Sequence, residues 1–153
     1  MKYLRALMAV YVGVAISFGV GAQDKPAYDY TTKGTRIFQA PGSDFMAKIL
    51  VEAANLGSEE VKIAELTFPV GYSGSGHLHG AIEIFYVLKG RFGHSVNGVD
   101  AILEVGEIGI VKPGDTVSHS VHGDGAATVL TIWVPGGAGA PAFSGMPSRP
   151  IEN

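Results

Sequence analysis

From Ala47 to Val134 the chain alternates short apolar runs with clusters of turn-forming residues. Ala47 to Ala53 precedes Asn55-Leu56-Gly57-Ser58, and Val61 to Phe68 follows it. Phe92 to Val96 and Asp100 to Val105 flank Asn97-Gly98. Ile108 to Val111, Ser118 to Val121 and Ala127 to Val134 are set apart by Pro113-Gly114 and Gly123-Asp124-Gly125. Runs this short, bounded by Gly, Pro and Asn, predict strands. Asn97-Gly98 is a hairpin signal in its own right, because both residues accept the positive φ that a two-residue turn demands. Helical signals are nearly absent. The expected fold class is therefore all-β, a barrel or sandwich built from many short strands.

The two ends of the chain break this pattern. Lys2 and Arg5 precede Ala6 to Val20, which carries no charge, and Val20-Gly21-Ala22 supplies the small residues a signal peptidase needs. Residues 1–22 are expected to be a Sec-type signal peptide, which places the protein in the periplasm or outside the cell, with no stable membrane insertion after cleavage. The apolar stretch is short for a full membrane span. No twin arginine precedes it and no cysteine follows the cut, so neither a Tat signal nor a lipid anchor is expected. Residues 23–46 are expected to form a polar arm in which Arg36-Ile37-Phe38 begins a short strand. Residues 47–134 hold the single domain. Residues 135–153, rich in Gly, Pro, Ala and Ser, are expected to be a mobile tail; the alternative is that Phe143 and Met146 fold back over the domain.

Charge and cysteine usage narrow the function classes. The formal charge is −3, and loss of Lys2 and Arg5 makes it more negative, so nucleic acid is an unsuitable partner. The chain has no cysteine. An exported protein without disulfides depends on its apolar core, a bound metal or a subunit contact for stability, and thiolate chemistry is excluded.

One run carries the candidate chemistry: GYSGSGHLHGAIEIFYVLKG, from Gly71 to Gly90. His77, His79 and Glu83 are separated by even intervals. In an extended chain they project from one face, whereas a helix would scatter them. Two imidazoles and a carboxylate on one face can hold a divalent metal. Gly71, Gly74 and Gly76 form a loop into this run, without the Lys-Ser/Thr pair or helix of a phosphate cradle.

The spacing of Gly71, His77, His79, Glu83 and Gly90 resembles the first motif of the cupin superfamily, and Gly106, Pro113-Gly114 and His119 resemble the second. The resemblance implies a single cupin-type β-barrel, a double-stranded β-helix of jelly-roll kind, over 47–134. It implies one metal held by His77, His79, Glu83 and His119. His122 is the rival for the last position; its strand parity is opposite to that of His119, which reads as a surface histidine. His94 alternates with Phe92 and Val96. If their common face is the cavity, His94 is a candidate catalytic acid or base; a buried core or rim histidine is the alternative.

Four protein ligands around an octahedral ion leave two positions for a substrate chelating through two oxygens, or for one substrate atom and dioxygen. The expected function is that of an exported metal-dependent cupin acting on an oxygen-bearing small molecule. The resemblance to quercetinase-like and oxalate-oxidising cupins favours iron or manganese and dioxygenase or oxidase chemistry. With zinc or nickel, a lyase or isomerase is expected, and a noncatalytic binding cupin is the third reading. A homodimer is also expected from the resemblance, with Ala47 to Ala53 as its contact.

Overall fold

The computed structural model describes residues 31–39 and 41–152; the expected signal peptide and the first part of the arm lie outside them. The described residues form β1 (Arg36–Gln39), β2 (Met46–Val51), α1 (Ala53–Leu56), β3 (Lys62–Phe68), β4 (His77–Leu78), β5 (Ile82–Lys89), β6 (Arg91–Val96), β7 (Val99–Leu103), β8 (Ile108–Val111), β9 (Thr116–His122), β10 (Ala127–Val134), a 3-10 helix (Gly136–Phe143) and β11 (Ser148–Pro150). They assemble into two antiparallel sheets. The larger has the order β11-β1-β2-β3-β10-β5-β8 and the smaller β4-β9-β6-β7. The sheets face each other as an open barrel and do not close into one hydrogen-bonded ring.

Alternation along the strands explains why the sheets pack. In β5, Glu83, Phe85 and Val87 are buried, while Ile82, Tyr86 and Leu88 are exposed. In β10 the buried set is Ala127, Val129, Thr131 and Trp133. From the small sheet, Phe92, Val117 and Val121 point into the same core. Phe92 bridges the layers, with ring centroids 5.1 Å from Phe68 and 5.4 Å from Phe85. Truncating a phenylalanine so placed costs about 3–5 kcal/mol. The Asn97-Gly98 hairpin forms between β6 and β7 with φ of 51° and 80°. Gly90, between β5 and β6, is required for a second reason: a Cβ there would stand 2.5 Å from the Ala126 carbonyl oxygen.

Two expectations need correction. Residues 135–153 are not a free tail. The 3-10 helix lies on the barrel, Phe143 is buried, and β11 pairs with β1. A Gly/Ala/Pro-rich run has no apolar period to announce a helix, and its docking depends on Phe143 stacking on Phe38 at 5.3 Å and meeting Trp133 edge-on at 5.9 Å. Second, the strand expected to run to Ala53 ends at Val51, and Ala53–Leu56 makes one helical turn. The Asn55 side chain holds that turn, accepting from the Glu52 amide and donating to the Leu50 and Thr31 carbonyls. β2 is paired on both edges, by β1 and β3, and Ala47 and Ile49 are fully buried, so a dimer contact through Ala47 to Ala53 would use the outward face of the strand and not a free edge.

Candidate functional site

A cavity of about 630 Å³ opens between the two sheets at the end where β4 gives way to β5. His77, His79, Glu83 and His119 all line it. They arrive by a route that differs from the one expected. The run from His77 to Glu83 is not one strand with every candidate on one face. β4 belongs to the small sheet and β5 to the large one, and the chain crosses between them through Gly80-Ala81. His77 and His79 therefore stand on one side of the barrel mouth and Glu83 on the other. Backbone bonds hold the crossing: the His79 amide donates to the Asp115 carbonyl at 2.8 Å, and the Gly114 amide donates to that of His79 at 2.9 Å.

His79 and Glu83 meet across this gap, with Nε2 2.6 Å from Oε2. On the other side of its ring, His79 Nδ1 lies 3.0 Å from the Ala81 carbonyl oxygen. A carbonyl only accepts, so Nδ1 carries a proton, and when the ring is charged Nε2 donates to the Glu83 carboxylate. The hydrogen bond to Glu83 raises the His79 pKa above its ordinary value of 6.5, outweighing the lowering effect of burial. Glu83 itself is only 4% exposed, and this pairing satisfies one of its oxygens.

His119 is built differently. It shares the inward face of β9 with Val117 and Val121, stacks on Phe92 at 5.0 Å and meets Phe85 at 4.6 Å. Its Nε2 is buried without a hydrogen-bond partner. Burial lowers its pKa to about 3, with further lowering from His94, His77 and His79. An unpaired buried nitrogen costs about 1–3 kcal/mol, and in the tautomer protonated at Nδ1 this nitrogen offers a lone pair without a donor. His122 lies on the opposite face of β9, its Nε2 3.1 Å from the Ser120 hydroxyl, and does not line the cavity.

His94 does not line this cavity; it borders a separate space of about 390 Å³ together with His119 and His122. It pairs with His119 across β6 and β9, and the two rings stack at 5.4 Å. The ring is 7% exposed and sits behind His119, with Phe85 at 5.6 Å. Neither nitrogen makes a hydrogen bond of good geometry. Burial lowers its pKa, opposed weakly by the Ile110 backbone and Glu83. A substrate in the cavity would meet His119 and not His94.

Most of the other cavity walls were not apparent from the sequence. Leu66, Phe68 and Phe45 come from β3 and the chain before β2, while Trp133 and Phe143 come from β10 and the 3-10 helix. Tyr72 completes the wall, its ring 4.9 Å from Phe68 and its pKa raised by burial. A period-2 pattern marks Leu66, Phe68 and Trp133 as inward-facing, but not which of them border empty space.

The donor set suits a divalent ion: three imidazoles and a carboxylate border one cavity, and one imidazole nitrogen has no other partner. The side chains are not drawn together. The His77 ring centroid is 5.7 Å from that of His79 and 6.4 Å from that of His119, and among the described residues no three such groups stand at metal-ligand spacing.

Comparison with known proteins agrees with the architecture. The Cupin domain family matches residues 64–135. An RmlC-like cupin from Shewanella frigidimarina superposes with a TM-score of 0.55 at 20% identity, over 64% of this chain and 82% of that one. A predicted oxalate decarboxylase from Thermotoga maritima gives 0.56 at 23%, over 67% and 92%. KdgF from Halomonas sp. gives 0.54 at 21%, over 64% and 84%. These identities speak for the fold alone. No curated protein matches the chain. The family match thus marks residues 64–135 as a Cupin domain, and these structures share its fold.

Proposed function

We propose that this protein is an exported metal-dependent cupin that binds an oxygen-bearing small molecule in the barrel and oxidises it, as a dioxygenase or oxidase. The observation that carries the reading is the buried, unpartnered Nε2 of His119 on the same cavity as His77, His79 and Glu83. Cupins often hold a metal. These four residues would hold a divalent ion here, iron or manganese by preference, and the ion would supply Lewis acidity and redox capacity.

The chain's own residues set the terms of binding. His119 is already neutral and desolvated, so it presents its lone pair without losing a proton. His79 must give up its Nε2 proton and its contact with Glu83, which frees the carboxylate as a ligand. Phe85 and Phe92 hold the His119 ring in place through the contacts described above and keep water from its inner face. The balance between oxidative and proton-transfer chemistry rests on the rest of the lining. Among the described residues, Tyr72 is the one titratable cavity group outside the ligand set, and its raised pKa keeps it a phenol. A phenol is a poor base for the proton abstraction that a lyase or isomerase requires, whereas metal-centred oxidation does not need one.

The test is elemental analysis of untagged protein from its exported location, followed by oxygen uptake with chelating substrates. About one iron or manganese per chain, lost in Glu83→Ala and His119→Ala, with substrate-dependent oxygen consumption, is the expected result. Zinc or nickel with no oxygen uptake would favour lyase or isomerase chemistry, and absence of any metal would favour a binding module.

A further inference from the structure

We infer that the molecule taken by this cavity has an uncharged aromatic body beside its chelating oxygens, and is not a small dicarboxylate. The inference rests on the metal-binding reading above and names the substrate class for that site. Phe45, Phe68, Phe85, Trp133 and Phe143 present aromatic side chains to one space of about 630 Å³. That volume is within the usual range for a small-molecule site, and far more than a metal with two waters occupies. Aromatic walls favour flat apolar ligands by area and by ring-on-ring contact.

Charge leads to the same class. Glu83 is a buried acid on the cavity wall, and no Lys or Arg is among the described residues that line it. A divalent ion beside the Glu83 carboxylate leaves one formal positive charge. A singly ionised chelate neutralises it. A dianion adds an uncompensated negative charge to a largely apolar chamber, which is costly.

The wall nearest the C-terminus is built for a broad ligand. The 3-10 helix turns small residues, Ala138, Gly139 and Ala142, toward the cavity. Gly139 lies directly on the indole: a Cβ there would stand 2.9 Å from Trp133 Cδ2 and 3.0 Å from Cγ. The helix is anchored at its start, where a Cβ on Gly136 would meet the Val61 carbonyl carbon at 2.5 Å and the Gly136 amide donates to the Glu59 carbonyl. At its end Phe143 is anchored by Phe38. Trp133 and the helix thus frame the space as one fixed unit.

Trp133 is the only tryptophan in the chain, so its fluorescence reports this cavity. The test uses three probes on the full mature chain: a naphthalene diol with adjacent hydroxyls, naphthol, and oxalate. Calorimetry and fluorescence are recorded with the metal-free and the manganese-loaded protein. Carboxylates are good ligands for manganese in water, so a reversed preference would be the work of the cavity. The expected result is that the diol binds the loaded protein at least about tenfold more tightly than oxalate. Naphthol should shift Trp133 emission even without metal, and Ala142→Arg should narrow the gap by strengthening oxalate binding. Oxalate binding the loaded protein as tightly as the diol, or naphthol leaving Trp133 unchanged, would overturn the aromatic class while the metal reading stands. Naphthol binding by a protein that takes up no manganese would keep the aromatic class and overturn the metal reading.

Discussion

The rim and the inner wall of the cavity treat histidine in opposite ways. On the rim, His79 is held by Glu83 and the Ala81 carbonyl in a form that keeps its proton, and the exposed His77 stands next to it. On the inner wall, His119 is stacked among Phe85, Phe92 and His94, and burial strips its proton. The difference shows how a ligand set can be half prepared. The inner wall supplies a dry, fixed lone pair, and the rim supplies groups that reorganise on binding. Desolvation shapes the first and a charge-assisted hydrogen bond shapes the second.

The largest expected effect follows from that contrast. His119→Ala should weaken manganese binding by more than about 100-fold, beyond the losses typical of outer-sphere changes, and His77→Ala by roughly tenfold, because the exposed rim side chain starts out less constrained. Equal losses in metal titrations of the two variants would erase the distinction between wall and rim.

Acid should separate the two sides next. In the metal-free protein His119 stays neutral down to about pH 3, whereas the unfolded chain takes up that proton near 6.5. The unfolded state binds more protons across that window, so stability falls as pH drops from 6.5 toward 3. The slope is at most about 1.4 kcal/mol per pH unit for each such histidine. His94, also lowered, acts in the same direction. His79 has the opposite sign: its raised pKa contributes stability that is complete below 6.5 and is lost as pH rises through its folded value. Denaturant midpoints measured across this range should drop on the acid side, and His119→Leu should flatten that limb. An unchanged limb in the variant would show that His119 is not the group responsible.

Glu83→Gln isolates the rim. The charge-assisted bond to His79 is worth about 1.5–3 kcal/mol, and its loss should lower the His79 pKa, as read by NMR titration of the ring protons. A His79 pKa that does not move would mean that Glu83 does not hold its proton.

The smallest effects are expected behind and outside the site. His94→Leu removes two unpaired ring nitrogens from the core, so the thermal midpoint of the metal-free protein should hold or rise by the equivalent of about 1 kcal/mol. A loss of several kcal/mol would point to a hydrogen bond at His94 that the geometry does not show. Ser120→Ala, on the outer face of β9, should change stability by no more than about 0.5 kcal/mol and leave metal affinity as it was; a weakened metal site there would make His122 a participant.

Much of the fold was legible because strand parity and turn chemistry are local. Asn97-Gly98 signalled its hairpin, and the opposite parity of His119 and His122 placed them on opposite faces of β9. Parity failed for His77, His79 and Glu83, since the chain leaves one sheet and enters the other at Gly80-Ala81, and no residue type there marks a change of sheet. The C-terminal helix was hidden for a related reason. Its order comes from Phe143 meeting Phe38 and Trp133, contacts distant in sequence, and not from any period of its own. His94 showed the limit of facing inward: its side chain points to the core, yet His119 stands between it and the cavity.

The central claim is that rim and wall close on one ion. X-ray absorption at the edge of the bound metal tests it most directly. The spectrum should show three imidazoles and an oxygen donor from a carboxylate, with one imidazole lost in His119→Ala and none in His122→Ala. A metal environment without imidazole, or one altered by His122→Ala and untouched by His119→Ala, would contradict the account.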